Sequence, residues 1–146
     1  ASWPMILDKL SDGILTFTHY DYRVENLFFS QDAEQVAVID WQLIAAIRPS
    51  WDFAYLICTN IATDDRRRHE QEYINLYLSE LKARGIDYSE SQLREDMKWT
   101  LLGISTIPVI GGANFDASNE RSFELFKAIA QRHFEAIADY DALSVI

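Results

Sequence analysis

Residues 18–42 read THYDYRVENLFFSQDAEQVAVIDWQ. Two short apolar runs, Leu27-Phe28-Phe29 and Val36-Ala37-Val38-Ile39, flank a polar turn at residues 30–35, the pattern of an antiparallel strand pair spanning 25–29 and 36–39. His19, Asp21 and Asn26 stand before the first run and Asp40 after the second. A hairpin needs none of these groups for its core. Antiparallel pairing brings Asn26 and Asp40 toward one another despite their separation in sequence. A carboxylate and an amide oxygen suit a hard cation such as Mg²⁺, which keeps waters and shares phosphate ligands. Asp21 then stands nearby, free to take a proton from an attacking hydroxyl. Phosphoryl transfer asks for these parts: a positioned base, an amide ligand and an acidic ligand. Each residue alone reads more readily as turn chemistry than as catalysis; the ordered set carries the signal.

Outward from this stretch the chain turns helical. Residues 4–12 read as the end of a helix closed at Asp12-Gly13, and residues 14–17 as a short strand. After Pro49, residues 52–61 predict an apolar, central helix. Residues 65–84 carry Tyr73, Leu76, Tyr77 and Leu81 at helical spacing, with Gly85 as a stop. Ser89 and Gln92 have capping-box spacing ahead of the stripe Leu93, Met97, Leu101 and Ile104. Pro108 and Gly111-Gly112 predict a break, and residues 119–139 a last helix with Phe123, Phe126, Ala130, Phe134 and Ile137 on one face. The expected fold is α+β and mainly α, one domain over residues 1–146 with four to five helices and a small antiparallel ribbon.

Composition narrows the function. The chain has 146 residues, enough for a substantial core, and 49% of them are apolar. Thirteen basic side chains against 23 acidic ones argue against nucleic-acid phosphates as the partner. The only cysteine, Cys58, lies in an apolar run and reads as a buried structural thiol. No apolar segment reaches membrane-spanning length, and the first residues lack the features of a signal peptide; the expectation is no membrane and a cytoplasmic location.

The segment His19-Tyr20-Asp21-Tyr22-Arg23-Val24-Glu25-Asn26-Leu27-Phe28-Phe29 resembles the catalytic loop of aminoglycoside phosphotransferase and choline-kinase-like enzymes. Val38-Ile39-Asp40-Trp41-Gln42 resembles their metal-binding segment, and Trp51-Asp52-Phe53-Ala54-Tyr55-Leu56 the start of their central helix. Gln42 after the Asp-aromatic pair is similar to the ecdysteroid-kinase-like and bacterial branches. The helical remainder, with Ile110-Gly111-Gly112 and Asn119-Glu120-Arg121, extends the likeness over nearly the whole chain.

The resemblance implies a protein-kinase-like C-terminal lobe that uses ATP and Mg²⁺ to phosphorylate a small-molecule hydroxyl. It implies Asp21 as catalytic base and Asn26 and Asp40 as metal ligands. Asp52 becomes a brace of the catalytic loop, with helix N-cap as the equal alternative, and His19 a structural hydrogen-bonder. A zinc role for His19 is the weaker reading, since His69 and His133 fall on separate helices. Arg23 faces a phosphate or lies at the surface; Gln42 lines the nucleotide or substrate cleft; Arg66-Arg67-Arg68 reads as a solvated face.

Two departures stand out. Tyr20 replaces the family's usual Gly, and the chain has no G-x-G and no strand lysine before His19. The N-terminal nucleotide-binding lobe is thus expected to lie outside this chain. Apolar residues near the start (Trp3, Met5, Ile6 and Ile14) are expected to meet that lobe or drive self-association. The rival functions are a non-catalytic, kinase-derived binding or assembly module and, last, a metal hydrolase built on His19 and Asp21.

Overall fold

A computed structural model describes residues 3–113 and 119–146. The fold is mainly helical, with two small antiparallel ribbons at the end that carries residues 18–42. Helix α1 (Trp3–Leu10) leads through Gly13, at φ +84°, into β1 (Thr16–Thr18). A single 3₁₀ turn at Val24–Asn26 precedes β2 (Leu27–Phe29), which pairs with β3 (Val36–Val38) in the register Leu27↔Val38 and Phe29↔Val36. The pairing is shorter than expected because Glu25 and Asn26 coil toward the loop.

A further strand, β4 (Ala45–Ile47), pairs with β1 in the register Thr16↔Ile47 and Thr18↔Ala45. The first strand therefore starts two residues later than its apolar content predicts. Backbone pairing, not side-chain apolarity, sets its bounds: Phe17 is 78% exposed.

Helix α2 (Ser50–Tyr55) is short and passes without a break into a π-helical turn at Leu56–Asn60. The core forms around it. Trp51, Ala54, Tyr55 and Cys58 pack against Leu93, Met97, Leu101 and Ile104 of α4 (Glu90–Ile104), all of them buried. Helix α4 opens on the expected capping box, in which the Ser89 side chain and Gln92 bond each other's backbone N–H. Gly103 lets α4 approach α1 and α2: a Cβ there would stand 2.6 Å from Leu10 Cδ1 and 2.9 Å from Trp51 Cζ3.

Several expected faces rotate. On α3 (Thr63–Ala83) Ile74 is the fully buried apolar residue, while Leu76 points to solvent, 63% exposed. Arg66 shares the inward face with Glu70 and Ile74 at i, i+4 and i+8. It is buried, not solvated, and bonds Glu70 (2.8 Å) and Asp139. Arg67 and Arg68 stay exposed. On α6 (Glu120–Asp139) the inward stripe is Ile129, His133 and Ala136, and Phe123 and Phe134 lie on its flanks. A histidine at the centre of the stripe hides the face from an apolar pattern.

The break that ends α4 falls at Ser105, and Pro108 sits in the first turn of α5 (Thr106–Ala113), where its missing N–H costs nothing. Gly111 and Gly112 continue α5 and do not end it. The Phe126 ring occupies the space a Gly111 Cβ would need, at 2.7 Å. Near the start, Trp3 and Ile14 are exposed, whereas Met5 and Ile6 pack against the core. No helix of the described residues is long and apolar enough to cross a membrane.

Candidate active site

The loop at residues 19–26 is held from beneath by α2 and its π turn. The Asp52 carboxylate accepts from the backbone N–H of His19 (2.6 Å) and of Tyr20 (2.9 Å). The helix starts at Ser50, so Asp52 lies inside its first turn and its oxygens point to the loop, not to the helix N-terminus. Burial pushes the Asp52 carboxyl above its ordinary range, and the two N–H donors offset only part of that. Trp51 Nε1–H donates to the Tyr20 carbonyl (2.9 Å), and Val24 N–H to Asn60 Oδ1 (3.0 Å).

Tyr20 has φ +74°, in the left-handed region that favours glycine. Its ring stacks on Trp51 at 4.3 Å between centroids, which offsets the backbone strain. His19 is buried, and its Nε2 lies 2.7 Å from the Ile39 carbonyl. That oxygen can only accept, so Nε2 carries the proton. The bond ties the loop to the residue just before Asp40, and the edge of Trp41 closes on the same imidazole at 4.9 Å.

Asp21 lies at the centre of this network. Tyr55 O–H donates to its Oδ1 (3.0 Å), Asn26 Nδ2 to its Oδ2 (3.1 Å), and Arg23 Nε stands 3.3 Å from Oδ2. Asn26 Nδ2 also reaches the Asp21 carbonyl (2.9 Å). The amide nitrogen of Asn26 thus faces Asp21, and its Oδ1 takes no part in that network. Across the ribbon, Ile39 N–H donates to the Asn26 carbonyl (3.0 Å), which puts Asp40 one residue beyond the Asn26 pairing position. Asp40 is exposed and left-handed at φ +64°, a conformation aspartate tolerates better than most residues.

Among the described residues no group of three or more His, Cys, Asp or Glu side chains is placed to hold a metal by protein ligands alone. The donors here, one amide oxygen and one carboxylate, fit a cation that completes its shell with water and phosphate oxygens.

A cavity of about 300 Å³ adjoins Asp21, lined by Tyr20, Arg23, Leu43, Tyr55, Ile107, Gly111, Phe126 and Ile129 as well. Its wall is mostly apolar. Gln42 is exposed in the 3₁₀ turn Trp41–Leu43, and its neighbour Leu43 is the residue on the cavity wall. Sequence reading missed Trp51, Tyr55 and Asn60 as members of this site. Each sits in an apolar helix where it passes for core or helix end.

The mainly helical fold with its small antiparallel ribbons is of the kinase-like class. The model of the ecdysteroid kinase-like family matches residues 5–86, which span the loop, both ribbons, α2 and α3. That is more than half of the chain, and the chain belongs to this family. No curated protein matches it.

Proposed function

We propose that this chain carries the catalytic and acceptor-binding part of an ATP-dependent phosphotransferase. It moves the γ-phosphoryl group to a hydroxyl of a small molecule. The observation that supports this most is the placement of Asp21: a carboxylate held by two hydrogen-bond donors and the Arg23 ion pair at the wall of a ligand-sized, largely apolar cavity. Asp21 takes the proton of the acceptor hydroxyl, and the cavity binds the acceptor's apolar body. Asn26 Oδ1 and the Asp40 carboxylate hold Mg²⁺, which supplies charge neutralisation at the phosphates when bound. Arg23, already beside Asp21, adds positive charge on the phosphate side. His19 and Asp52 keep the loop in shape. Exposed apolar side chains on the two ribbons and the turn between them, among them Phe17, Phe28, Trp41 and Ile44, are where an N-terminal lobe, or a second copy, packs.

The test uses the full-length protein with Mg-ATP and an ecdysteroid as the first acceptor. Asp21→Asn is expected to lower turnover by about 10²–10⁴-fold while Mg-ATP affinity stays near the parent's. Asp40→Ala weakens Mg-ATP binding at low Mg²⁺, and Asn26→Ala does so more mildly. Near-normal turnover by Asp21→Asn removes the base. Unchanged Mg-ATP affinity in both ligand variants removes the metal assignment. The left-handed Tyr20, where glycine is usual, favours the rival reading of a non-catalytic module. Under that reading the parent protein transfers no phosphate.

A further inference from the structure

Tyr55 is 2% exposed in the middle of the core, where a phenylalanine would fill the same space. Its hydroxyl is not needed for packing, yet it donates to Asp21 Oδ1 at 3.0 Å. Burial, and after it the Asp21 charge, push the phenol's pKa upward, so the O–H remains a donor over the whole physiological range.

A carboxylate offers about four acceptor positions, two on each oxygen. On Asp21, Oδ2 accepts from Asn26 Nδ2 at 3.1 Å and has the Arg23 guanidinium beside it, Nε at 3.3 Å in an ion pair without hydrogen-bond alignment. Among the described residues Oδ1 accepts from Tyr55. Oδ2 is thus crowded by two groups and Oδ1 by one, which leaves Oδ1 the more open oxygen, and Asp21 and Tyr55 both line the apolar cavity.

The geometry points to Tyr55 as a positioning residue for phosphoryl transfer: its hydroxyl holds Asp21 Oδ1 so that the acceptor hydroxyl donates to the free lone pair of that same oxygen. This rests on the reading of Asp21 as the base. In the transfer, the acceptor oxygen bonds to the γ-phosphorus and its proton passes to Asp21 Oδ1. The bond from the γ-phosphorus to the β,γ-bridging oxygen breaks, and ADP leaves with that electron pair. Tyr55 gives up no proton. Its contribution is the orientation of the carboxylate plane, which otherwise turns about Cβ–Cγ on the Oδ2 contacts alone.

The π turn makes this hold two-ended. Asn60, at the end of the turn, accepts from Val24 N–H at 3.0 Å and donates to the Tyr55 carbonyl at 3.3 Å. Tyr55 at the end of α2 and Asn60 at the end of the π turn thereby grip the loop at Asp21 and again at Val24. π turns recur at functional sites because the extra residue re-aims side chains in this way.

The experiment compares parent, Tyr55→Phe, Asp21→Asn and the double variant, all as full-length protein. It reads kcat and KM with Mg-ATP and an ecdysteroid, together with Mg-ADP affinity by calorimetry. Tyr55→Phe is expected to bind Mg-ADP as the parent does, to keep KM for Mg-ATP, and to lose roughly 10- to 100-fold in kcat, the range for a hydrogen bond to a charged group. In the Asp21→Asn background the same change is expected to alter the residual kcat by less than about 3-fold, since the carboxylate it orients is gone. A Tyr55→Phe kcat within about 3-fold of the parent overturns the proposal, as does an equal loss in both backgrounds, the mark of a merely structural role. Parent-like turnover by Asp21→Asn alone is a different result: it overturns the base assignment itself.

Discussion

Replacing Asp52 with alanine removes the acceptor of two loop N–H groups, at His19 and Tyr20, that have no strand or helix to bond instead. A hydrogen bond to a charged acceptor contributes about 1.5–3 kcal/mol. Two such bonds set an upper figure near 6 kcal/mol, but the Asp52 charge is itself costly to keep there. Burial raises its pKa despite the two donors, so desolvation outweighs what they return. The low end is therefore the better estimate, about 2–4 kcal/mol lost. Asp52→Asn keeps one acceptor oxygen and turns an NH₂ toward the other N–H; it is expected to lose roughly half as much.

Both figures lie below the ~5–15 kcal/mol stability of an ordinary domain, so the variants fold. Urea denaturation at neutral pH reads the difference as a shift in midpoint at constant slope, and native-state hydrogen exchange should show the His19 and Tyr20 amides losing protection first. The sign of the pH dependence follows from the raised pKa. Between the ordinary carboxyl value and the raised one, the folded state holds the proton more tightly than the unfolded state. The stabilisation due to Asp52 therefore shrinks as pH rises through that window. Alanine within about 0.5 kcal/mol of the parent, with both amides still protected, refutes the brace.

His133 is fully buried, its Nε2 3.0 Å from Ser105 Oγ and its Nδ1 unpartnered, and burial depresses its pKa to about 4. The unfolded chain takes the proton below about pH 6.5 and the folded chain only near 4, so stability is full above 6.5 and falls on acidification by up to about 3 kcal/mol. His133→Gln should lack this part of the acid slope in urea titrations at pH 7 and 4.5; equal slopes would exclude His133 as its source. At Tyr20, alanine keeps the left-handed strain and loses the stack on Trp51, whereas glycine loses the stack but relieves the strain. Tyr20→Ala should therefore be less stable than Tyr20→Gly by about 1–2 kcal/mol in thermal or urea melts, and the reverse order would show that the backbone there is not strained.

The parts of the fold legible in the sequence are those where one local signal has one structural meaning. Ser89 with Gln92, followed by Leu93, Met97, Leu101 and Ile104, yields a capped helix and its buried face as expected. Faces defined by exceptions were misread. Arg66 is buried because Glu70 and Asp139 meet its guanidinium. His133 is buried because Ser105 satisfies one nitrogen and the core tolerates the neutral ring. An apolar pattern scores both as solvent-facing and shifts the predicted stripe accordingly. Strand β4 was missed for another reason: three residues, Ala45–Ile47, acquire strand geometry only by pairing with Thr16–Thr18, a partner far away in sequence.

The candidate site divides along the same line. His19, Asp21, Asn26, Asp40 and Asp52 stand out because a polar group beside a short apolar strand or in an apolar helix has no packing reason to be there. Trp51, Tyr55 and Asn60 do not stand out, because packing alone accounts for them: an indole and a phenol in a core helix, an amide near a helix end. Only the hydrogen-bonding tips of Trp51 and Tyr55 belong to the site, and those tips are invisible to hydrophobicity. The same duality makes the site rigid. Trp51 and Tyr55 are anchored by their rings in the core and reach the loop with a single N–H and a single O–H. The position of Asp21 is thus set by the packing of α2 against α4 as well as by the loop's own short-range bonds from Asn26. A core substitution that moves α2, far from any reacting atom, should then disturb the loop as surely as a change within residues 19–26.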